Sequence, residues 1–365
     1  MTVSTPFQIN PDVCAAQTPP AAFYQSAQIY QQLLQKAFVP AWQVLGSTDL
    51  LPSSGAVMPV TLLPGSLDEA LLLTCDNHHQ HHCLSNVCTH RGAIICEKAL
   101  KCEELRCPYH SRRFHLDGRM RFAPGFAEAR DFPTTDCDLP ALPLQLNGPL
   151  LWTSLCADTD LEQWLQPVMA RVGWLPLTQF QFSAAHSRDY VFAGNWMLYV
   201  ENYLDSLHIP FVHPGLNQAL DFSRYSTELF ANGSLQLAIA ADDEAAFAVP
   251  VGAPDHGLRV AAWYFWLFPN LMLNFYPWGL SLNIVEPRGV AQTRVRFMSF
   301  IWREELLQAG AGAALHTVEM EDEAMVLSVT RGMRSRLYRR GRYAPVHEAA
   351  CHHFHQLLLH CLAAD

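Results

Sequence analysis

The feature that most constrains this chain is a pair of short arms rich in metal-binding side chains, within residues 88–110 (CTHRGAIICEKALKCEELRCPYH). Each arm carries one cysteine and one histidine: Cys88 and His90 in the first, Cys107 and His110 in the second. A zinc finger usually groups its cysteines in one arm and its histidines in the other. Mixed arms suit a cluster of two inequivalent irons, one held by two thiolates and one by two imidazoles. A structural zinc site is the alternative.

The boxes "CTHRG" and "CPYH", followed by "LDGR", resemble the Rieske [2Fe–2S] domain. The resemblance implies that the four arm residues hold the cluster and that the surrounding domain is all-β. Two departures are visible, because Ser111 and Arg112 stand where many members have Gly-Trp. Neither departure removes a ligand, but both can alter the surroundings of the cluster. Cys96 and Cys102 do not match the motif, and we expect them to be reduced thiols.

A second histidine-rich run, "CDNHHQHHC" at residues 75–83, is interpreted as a β-hairpin turn rather than a metal site. It lies between two strand-like stretches, and Asp76-Asn77 is a dipeptide that favours turns. The role of residues 78–82 beyond this turn stays open.

Length, composition and charge limit the possible functions. The chain has 365 residues, half of them hydrophobic, which is enough for two domains with separate cores. A formal net charge of −10 argues against a nucleic-acid binder, which needs a basic face for phosphates. The N-terminus has no charged segment followed by an apolar stretch, so we expect a cytoplasmic protein whose eleven cysteines are free or metal-bound.

The most apolar window, residues 260–285, is a poor candidate for a membrane span. Pro269, Asn270, Asn274 and Pro277 interrupt it. It is predicted to form buried β-strands with turns at Pro269-Asn270 and at Tyr276-Pro277. We therefore expect no membrane partner.

A second candidate metal site lies in "NWMLYVENYLDSLHIPFVHPGL", residues 195–216. Asp205 and His208 are three residues apart, which predicts that they share a helix face. Pro210 disfavours continuation of the helix, so the chain can turn His213 back towards His208. Taken alone this pair does not establish a metal site, because buried histidines held by hydrogen bonds are commoner than metal ligands.

The stretch "ENYLDSLHIPFVHPGL" closely resembles the mononuclear-iron motif of Rieske non-haem iron oxygenases. The resemblance implies an α+β catalytic domain of the helix-grip (START-like) type with an antiparallel sheet. It also implies that His208, His213 and one distant carboxylate bind Fe(II) and leave positions open for O2. In that family an acidic residue at the place of Asp205 links a cluster histidine of one subunit to an iron-ligand histidine of its neighbour, here His110 and His208. Asn202 matches a polar residue near the iron.

The distant carboxylate is predicted within "HTVEMEDEAMVLSVTRGM", residues 316–333. Asp322 falls on the apolar face of the predicted helix, and the same residue aligns with the ligand of the resembling family. Glu321 and Glu323 project about 100° to either side of that face. A buried ion pair of Asp322 with an arginine such as Arg331 is the alternative. The apolar face consists of Leu315, Val318, Met325, Val326 and Val329.

The expected organisation has three parts. Helical spacing predicts helices over residues 23–37, 160–170, 197–209, 313–337 and 346–361. Short strands with Gly and Pro between them fill residues 40–155. The predicted boundaries are 1–38 for an N-terminal arm and helix packed on the catalytic domain, 39–156 for the Rieske domain and 157–365 for the catalytic domain.

For the substrate pocket we expect contributions from Trp263, Phe265, Phe275 and Trp278, although most aromatics of these strands should simply pack in the core. The stretches "PAAFYQSAQIYQQ" and "PNLMLNFYPWGLSLNIVEP" look most like the choline-monooxygenase-like branch of the oxygenases. That branch implies a quaternary or methylated amine, such as choline or a betaine, bound by cation–π attraction. An aromatic-ring mono- or dioxygenase is the alternative, and a pure electron carrier is a further one.

The expected function is that of a terminal oxygenase component that hydroxylates or oxidatively demethylates a small substrate with O2. The chain has no flavin or nicotinamide motif, so NAD(P)H electrons should arrive through a separate flavin- or ferredoxin-type reductase. The family resemblance further implies a homo-oligomer, which we expect to be a trimer.

Overall fold

The computed structural model describes residues 8–364, which form two compact units. One unit is Trp42–Ala157. The other combines the described chain through Ala41 with the chain from Asp158 onward. Residues 1–7 of the predicted N-terminal arm lie outside the described residues.

The unit Trp42–Ala157 consists of short antiparallel strands in three sheets, ordered β1-β11-β10, β5-β2-β3-β4-β9 and β6-β7-β8. The strand bounds are β1 Gln43–Ser47, β2 Ala56–Leu62, β3 Glu69–Cys75, β4 His81–Ser85, β5 Leu100–Lys101, β6 Leu105–Arg106, β7 Arg113–Phe114, β8 Met120–Phe122, β9 Ala141–Leu142, β10 Gln145–Asn147 and β11 Leu150–Thr153. The expected all-β architecture is confirmed.

The β3–β4 hairpin confirms the turn predicted from Asp76-Asn77. The Asp76 carboxylate accepts hydrogen bonds from the backbone N–H groups of His78 (2.8 Å) and Gln80 (2.9 Å). Its other oxygen lies 3.1 Å from Nε2 of His82. The histidine-rich run is thus organised by a single aspartate at the tip of a hairpin.

The second unit contains a seven-stranded antiparallel sheet, ordered β12-β18-β17-β16-β15-β14-β13. Its strands are β12 Gln181–Phe192, β13 Ser226–Phe230, β14 Gly233–Ile239, β15 Val260–Leu267, β16 Leu271–Tyr276, β17 Gly279–Pro287 and β18 Thr293–Ile301. The apolar window 260–285 therefore forms buried strands with turns near Pro269-Asn270 and Tyr276-Pro277, as predicted.

Helices pack against this sheet and against one another. Their bounds are α1 Ala21–Gln25, α2 Ala27–Leu33, α3 Leu161–Val172, α4 Trp196–Leu204, α5 Ile209–Val212, α6 Pro214–Ala219, α7 Leu315–Gly332 and α8 Ala349–Ala363. Helix α2 continues as a π-helical turn over Leu34–Phe38 and contacts α8. Helix α4 contacts α7, α8 and strand β17, so it lies between the helical layer and the sheet.

Two predicted helices are wrong in their extent: the one over residues 313–337 ends at Gly332, and the one over residues 197–209 also ends early. Helix α4 ends at Leu204, and Asp205 adopts an extended conformation (φ −83°, ψ 118°). Asp205 and His208 therefore do not share a helix face. Pro210 lies in the first turn of α5, where its fixed φ favours a helix start, so the proline begins a helix rather than ending one.

Within the described residues, no helix is both long enough and apolar enough to cross a bilayer.

Helix α4 is anchored by Asn195, which is 5% exposed. Its carbonyl oxygen accepts from the N–H of Met197 (2.9 Å), and its amide donates to the backbone oxygens of Tyr24 (2.8 Å) and Val290 (2.9 Å). One side chain thus caps the helix and joins it to two other segments.

We expect Asn195→Ala to lower the free energy of unfolding by about 2–4 kcal/mol, because it removes a helix cap and leaves two carbonyls without their donor. Chemical denaturation measures this change. The exposed Gln218→Ala on α6 is the control and should change the free energy by less than about 0.5 kcal/mol. Equal values for the two variants would show that Asn195 does not anchor α4.

Candidate metal centres and the cavity beside them

The first arm forms a tight loop after strand β4. The backbone N–H of Gly92 donates to the oxygen of Cys88 (3.0 Å), and the N–H of Cys88 donates to the oxygen of Ala93 (2.8 Å). Gly92 has a φ of +72°, a conformation that side-chain-bearing residues adopt rarely. The loop turns back on itself within five residues, which brings His90 near Cys88.

The second arm, between β6 and β7, repeats this hydrogen-bond pattern. The N–H of Ser111 donates to the oxygen of Cys107 (3.1 Å), and the N–H of Cys107 donates to the oxygen of Arg112 (2.9 Å). Ser111 takes the position equivalent to Gly92 with a φ of +59°, which is costly for a serine. Its hydroxyl accepts a hydrogen bond from Nη2 of Arg106 (3.0 Å), a contact that glycine would lack.

The two loops bring their cysteines together in the interior and their histidines together near the surface. Cys88 and Cys107 are each 2% exposed, whereas His90 is partly exposed and His110 is exposed. The two imidazole rings lie 4.7 Å apart between centroids. Burial, together with the neighbouring Cys107, raises the pKa of the Cys88 thiol, so a cationic centre would favour its thiolate form. Two thiols inside and two imidazoles outside fit a cluster with two inequivalent irons.

The second centre is built where two prolines begin helices. The chain leaves α4 at Leu204, turns through His208 into α5, and reaches His213 between α5 and α6. Pro210 and Pro214 lie in the first turns of α5 and α6, where a missing N–H costs nothing. Both histidines therefore sit at helix starts.

Three side-chain atoms converge at this point. Nε2 of His213 lies 2.9 Å from Oδ1 of Asp322 and 3.2 Å from Nε2 of His208, and the His208–Asp322 separation is 3.5 Å. An ion bound at about 2.1 Å by three mutually perpendicular ligands separates their atoms by about 3 Å. The observed triangle therefore fits one face of an octahedral metal site. Among the described residues these three form a group capable of holding an ion.

Each histidine is oriented by a further carboxylate. Nδ1 of His208 lies 3.2 Å from Oδ2 of Asp205, and Nδ1 of His213 lies 2.7 Å from Oε2 of Glu321. Such contacts fix the ring orientation and make the imidazole a stronger donor to a metal. Helical spacing had placed Glu321 to one side of Asp322. Because Glu321 projects at this angle, its carboxylate reaches Nδ1 of His213, while Asp322 contacts Nε2 of the same ring.

The electrostatics of the centre favour a cation. Burial lowers the pKa of His208, but hydrogen bonds and charges from Asp205 and Asp322 outweigh it and raise the pKa to about 9. Burial opposes ionisation of Asp322, yet hydrogen bonds from both histidines hold its pKa below the ordinary value. A point that stabilises positive charge this strongly suits a divalent ion in place of a proton.

The apolar face predicted for α7 is only partly buried. Val326 is 2% exposed, but Met325 and Val329 are 42% and 46% exposed. Position on an apolar face is therefore a weak basis for predicting Asp322 as the ligand. The ion pairs of Asp322 are nevertheless with His208 and His213 rather than with Arg331.

A cavity with about 740 Å³ of empty volume opens beside this centre, between α4, α7 and the sheet. Aromatic rings form much of its wall, and its acidic residues are Asp205, Glu319 and Asp322; no lysine or arginine is among the described residues that line it. The aromatic members are Tyr199, Tyr203, Tyr225, Tyr264, Tyr276 and Phe297. Asn202, predicted to lie near the iron, also lines the cavity.

The four residues predicted for a substrate pocket do not line this cavity. Side chains alternate along strands, so Tyr264 and Tyr276 face the cavity while the adjacent Trp263, Phe265 and Phe275 point to the other face. The remaining one, Trp278, stacks on Tyr276 at 5.4 Å and lines a neighbouring cavity.

The sequence did indicate which face of the sheet lines the cavity. On β16 and β17 the polar residues share one face and line the cavity, whereas the apolar residues between them fill the core. These polar residues are Asn274, Tyr276, Ser281 and Asn283.

Glu319 is the functional candidate that the sequence did not indicate. It is 3% exposed, its Oε2 accepts a hydrogen bond from the hydroxyl of Tyr199 (2.7 Å), and its Oε1 has no hydrogen-bond partner. Burial raises the pKa of Glu319 well above the ordinary value. A buried carboxyl oxygen without a partner is costly, so a ligand that satisfies it gains that energy.

Models of known families match both parts of the chain. The model of the ring hydroxylating alpha subunit (catalytic domain) matches residues 181–364, and that of the Rieske [2Fe–2S] domain matches residues 41–133. The chain belongs to the Rieske oxygenases of the ring-hydroxylating alpha-subunit family.

Individual relatives and solved structures are similar to this chain over most of its length. The chain is 29% identical to the chloroplastic choline monooxygenase of Arabidopsis thaliana, over 95% of this chain and 83% of the relative. It is 25% identical to the carnitine monooxygenase oxygenase subunit of Escherichia coli strain K12, over 98% of each. The quaternary ammonium Rieske monooxygenase CntA in complex with L-carnitine shares its fold, with a TM-score of 0.73, 22% identity and coverage of 96% and 97%.

The protein is accordingly the oxygenase component of a Rieske system, an oxidoreductase with a Rieske [2Fe–2S] cluster and a mononuclear iron. A separate reductase supplies its electrons. The fold class and cofactors expected from the sequence are confirmed.

Proposed function

We propose that the two groups of converging side chains are the metal ligands of this oxygenase. The buried thiols and surface imidazoles of the paired loops support the cluster assignment, and the triangle of close atoms supports the iron assignment. The cluster ligands are Cys88, His90, Cys107 and His110, and the iron ligands are His208, His213 and Asp322.

Asp322→Ala should lose the mononuclear iron and keep the visible spectrum of the cluster, because it removes a ligand from one centre only. Glu321→Ala should weaken iron binding about 10- to 100-fold through loss of its contact with His213. Glu323→Ala, the next residue on the same helix, is the control and should retain iron. Iron analysis with chelator titration measures all three.

The iron count also tests the oxygenase against the electron-carrier alternative. An oxygenase holds about three irons per chain, and a carrier about two. Equal iron loss in the Asp322, Glu321 and Glu323 variants would show that the carboxylate ligand is wrongly assigned.

We propose that the substrate is a small quaternary or methylated ammonium compound, and the acidic, tyrosine-lined cavity carries this proposal. The hydroxyl of Tyr203 donates to Oδ1 of Asn274 (2.8 Å) and that of Tyr225 donates to Oε1 of Gln236 (3.2 Å). These hydroxyls are engaged within the wall, so the ring faces are left for a cation. The choline and carnitine monooxygenases among the relatives are named for substrates of this class.

The roles of the residues follow from their positions. The tyrosine faces attract the ammonium group. Burial raises the pKa of Glu319, and a cation bound beside its unpartnered oxygen would favour the ionised form. Asp322 and the two histidines hold the iron, which activates O2 when it is bound. Asn202 offers a polar side chain that lines the cavity. Substrate bound in this wall excludes water from the centre.

Glu319→Gln should weaken binding of choline at least tenfold, equivalent to about 1.4 kcal/mol, while leaving the affinity for the neutral isostere 3,3-dimethylbutan-1-ol unchanged. The variant keeps an acceptor for Tyr199 but cannot ionise in response to a bound cation. Calorimetric titration of the metal-loaded protein measures both ligands, and Glu323→Gln is the control.

Two results would contradict the cationic substrate. One is an equal loss of affinity for both ligands, which would mean that Glu319 shapes the cavity without attracting charge. The other is substrate-dependent NADH consumption with small aromatic compounds and none with choline, carnitine or betaines, which would favour the aromatic-ring oxygenase.

We propose that the chain works as a homotrimer in which Asp205 carries electrons between subunits. In each of the two compact units, the residues needed for contact between subunits are accessible to solvent. His110 is exposed beside Tyr109, which is 65% exposed. The Asp205 side chain is 24% exposed, and the nearby Phe211 is 80% exposed. A head-to-tail ring would set His110 of the partner subunit against Asp205, which already contacts His208.

Asp205→Asn should leave both metals bound and lower turnover by at least about 100-fold, because it removes the charge that both imidazoles would share. A mixture of two inactive variants is the sharper test. Cys107→Ser lacks the cluster and His213→Ala lacks the iron, yet mixed rings contain interfaces that pair an intact cluster with an intact iron centre. Activity recovered on co-assembly supports transfer between chains. Mixed rings that stay inactive would place the transfer within one chain.

We propose a flavin- or ferredoxin-type reductase as the electron donor, and a reducing, cytoplasmic location that keeps the thiol ligands reduced before cluster assembly.

A further inference from the structure

We infer that Arg112 sets the reduction potential of the Rieske cluster by holding an unpaired positive charge beside it. Arg112 follows the second arm, where many members of the family carry a neutral tryptophan. It is 4% exposed, and a guanidinium stays charged even when buried. The charge is therefore a permanent part of the surroundings of the cluster.

The contacts of Arg112 place this charge against both arms. Its Nη1 donates to the hydroxyl of Thr89 (3.1 Å), the residue between the first cysteine and the first histidine of the motif. Its backbone oxygen accepts the N–H of Cys107 (2.9 Å). The side chain thus reaches from the second arm to the first, and its position depends on the loops that hold the metal.

None of the contacts of Arg112 is with a carboxylate. Its guanidinium carbon lies 5.1 Å from the ring centre of Phe126 and 5.6 Å from that of Phe132, and its Nε has no hydrogen-bond partner. Within residues 8–364, no acidic group is at ion-pair distance from it. The neighbouring Arg113 and Arg121, by contrast, are paired with Glu104.

A buried cation without a counter-ion is expensive, so the negative charge that compensates Arg112 must come from elsewhere. The reduced cluster provides it: two thiolates and two sulfides offset the charge of two ferric irons, so the oxidised cluster is neutral overall and reduction leaves it with one negative charge. Attraction in a poorly screened interior is stronger for the reduced cluster than for the oxidised one. The electron comes from the reductase, and no proton or further reactant is needed. Arg112 therefore raises the potential above that of the same fold with a neutral residue.

Arg112→Gln and Arg112→Trp remove the charge and should lower the potential. We expect the equilibrium constant for reduction to fall at least tenfold, which is 59 mV for a one-electron couple. Redox titration of the metal-loaded protein, followed by the paramagnetic signal of the reduced cluster, measures this shift. The tryptophan variant provides a second neutral side chain that this position accommodates in related domains.

Arg112→Lys and Arg91→Gln are the matched controls. The lysine variant keeps a positive charge and should stay within about threefold of the original equilibrium constant. Arg91 lies next to His90 but is exposed, so solvent screens its charge and its loss should have a much smaller effect.

Two results would overturn the inference. Neutral variants that load the cluster and keep the original potential would show that the charge has no influence on it. A lysine variant shifted as far as the glutamine variant would show that packing against Phe126 and Phe132, rather than charge, is what matters.

Discussion

The catalytic unit depends on one constraint: the need to keep positive charge at the point where His208, His213 and Asp322 meet. The nearest atoms of the two imidazoles and the carboxylate lie within 3.5 Å of one another. Two more carboxylates, Asp205 and Glu321, contact the Nδ1 atoms of the two rings. An ion at the centre converts this cluster from a desolvation cost into a source of stability. This point is positioned by the prolines that begin α5 and α6, by the capped helix α4 and by the packing of α7.

In the Rieske unit, the charge that burial disfavours is negative rather than positive. Its two cysteines are buried side by side, so their ionisation would place negative charge in the interior, which the proposed cluster irons would offset. Both loops close with the same hydrogen bonds around a residue of positive φ, but one uses glycine and the other serine. A protein chain tolerates such a strained residue where the surrounding contacts over-determine it.

Much of this could be predicted from the sequence because the decisive signals are local. Ligand spacing in the two arms, the histidines beside prolines and the alternating apolar strands all operate over a few residues. The misjudged parts depend on tertiary structure. Strands β15 to β17 are buried on both faces, so apolar periodicity could not say which face the helices cover, and Trp263 was chosen over Tyr264. The partnership of Glu321 with His213 joins residues 108 apart and has no local signature.

The position of the ligands along the chain has a consequence for how the enzyme matures. His208 and His213 lie five residues apart, so the folding chain can bring them together with little entropic cost, whereas Asp322 is 109 residues from His213. The two histidines thus form a local structure, whereas Asp322 reaches them only through the packing of α7. With the proposed ligand set, iron would bridge the histidines and Asp322 and so close a long loop. Metal binding at the proposed ligands would then be coupled to closure of this loop and would stabilise the catalytic unit.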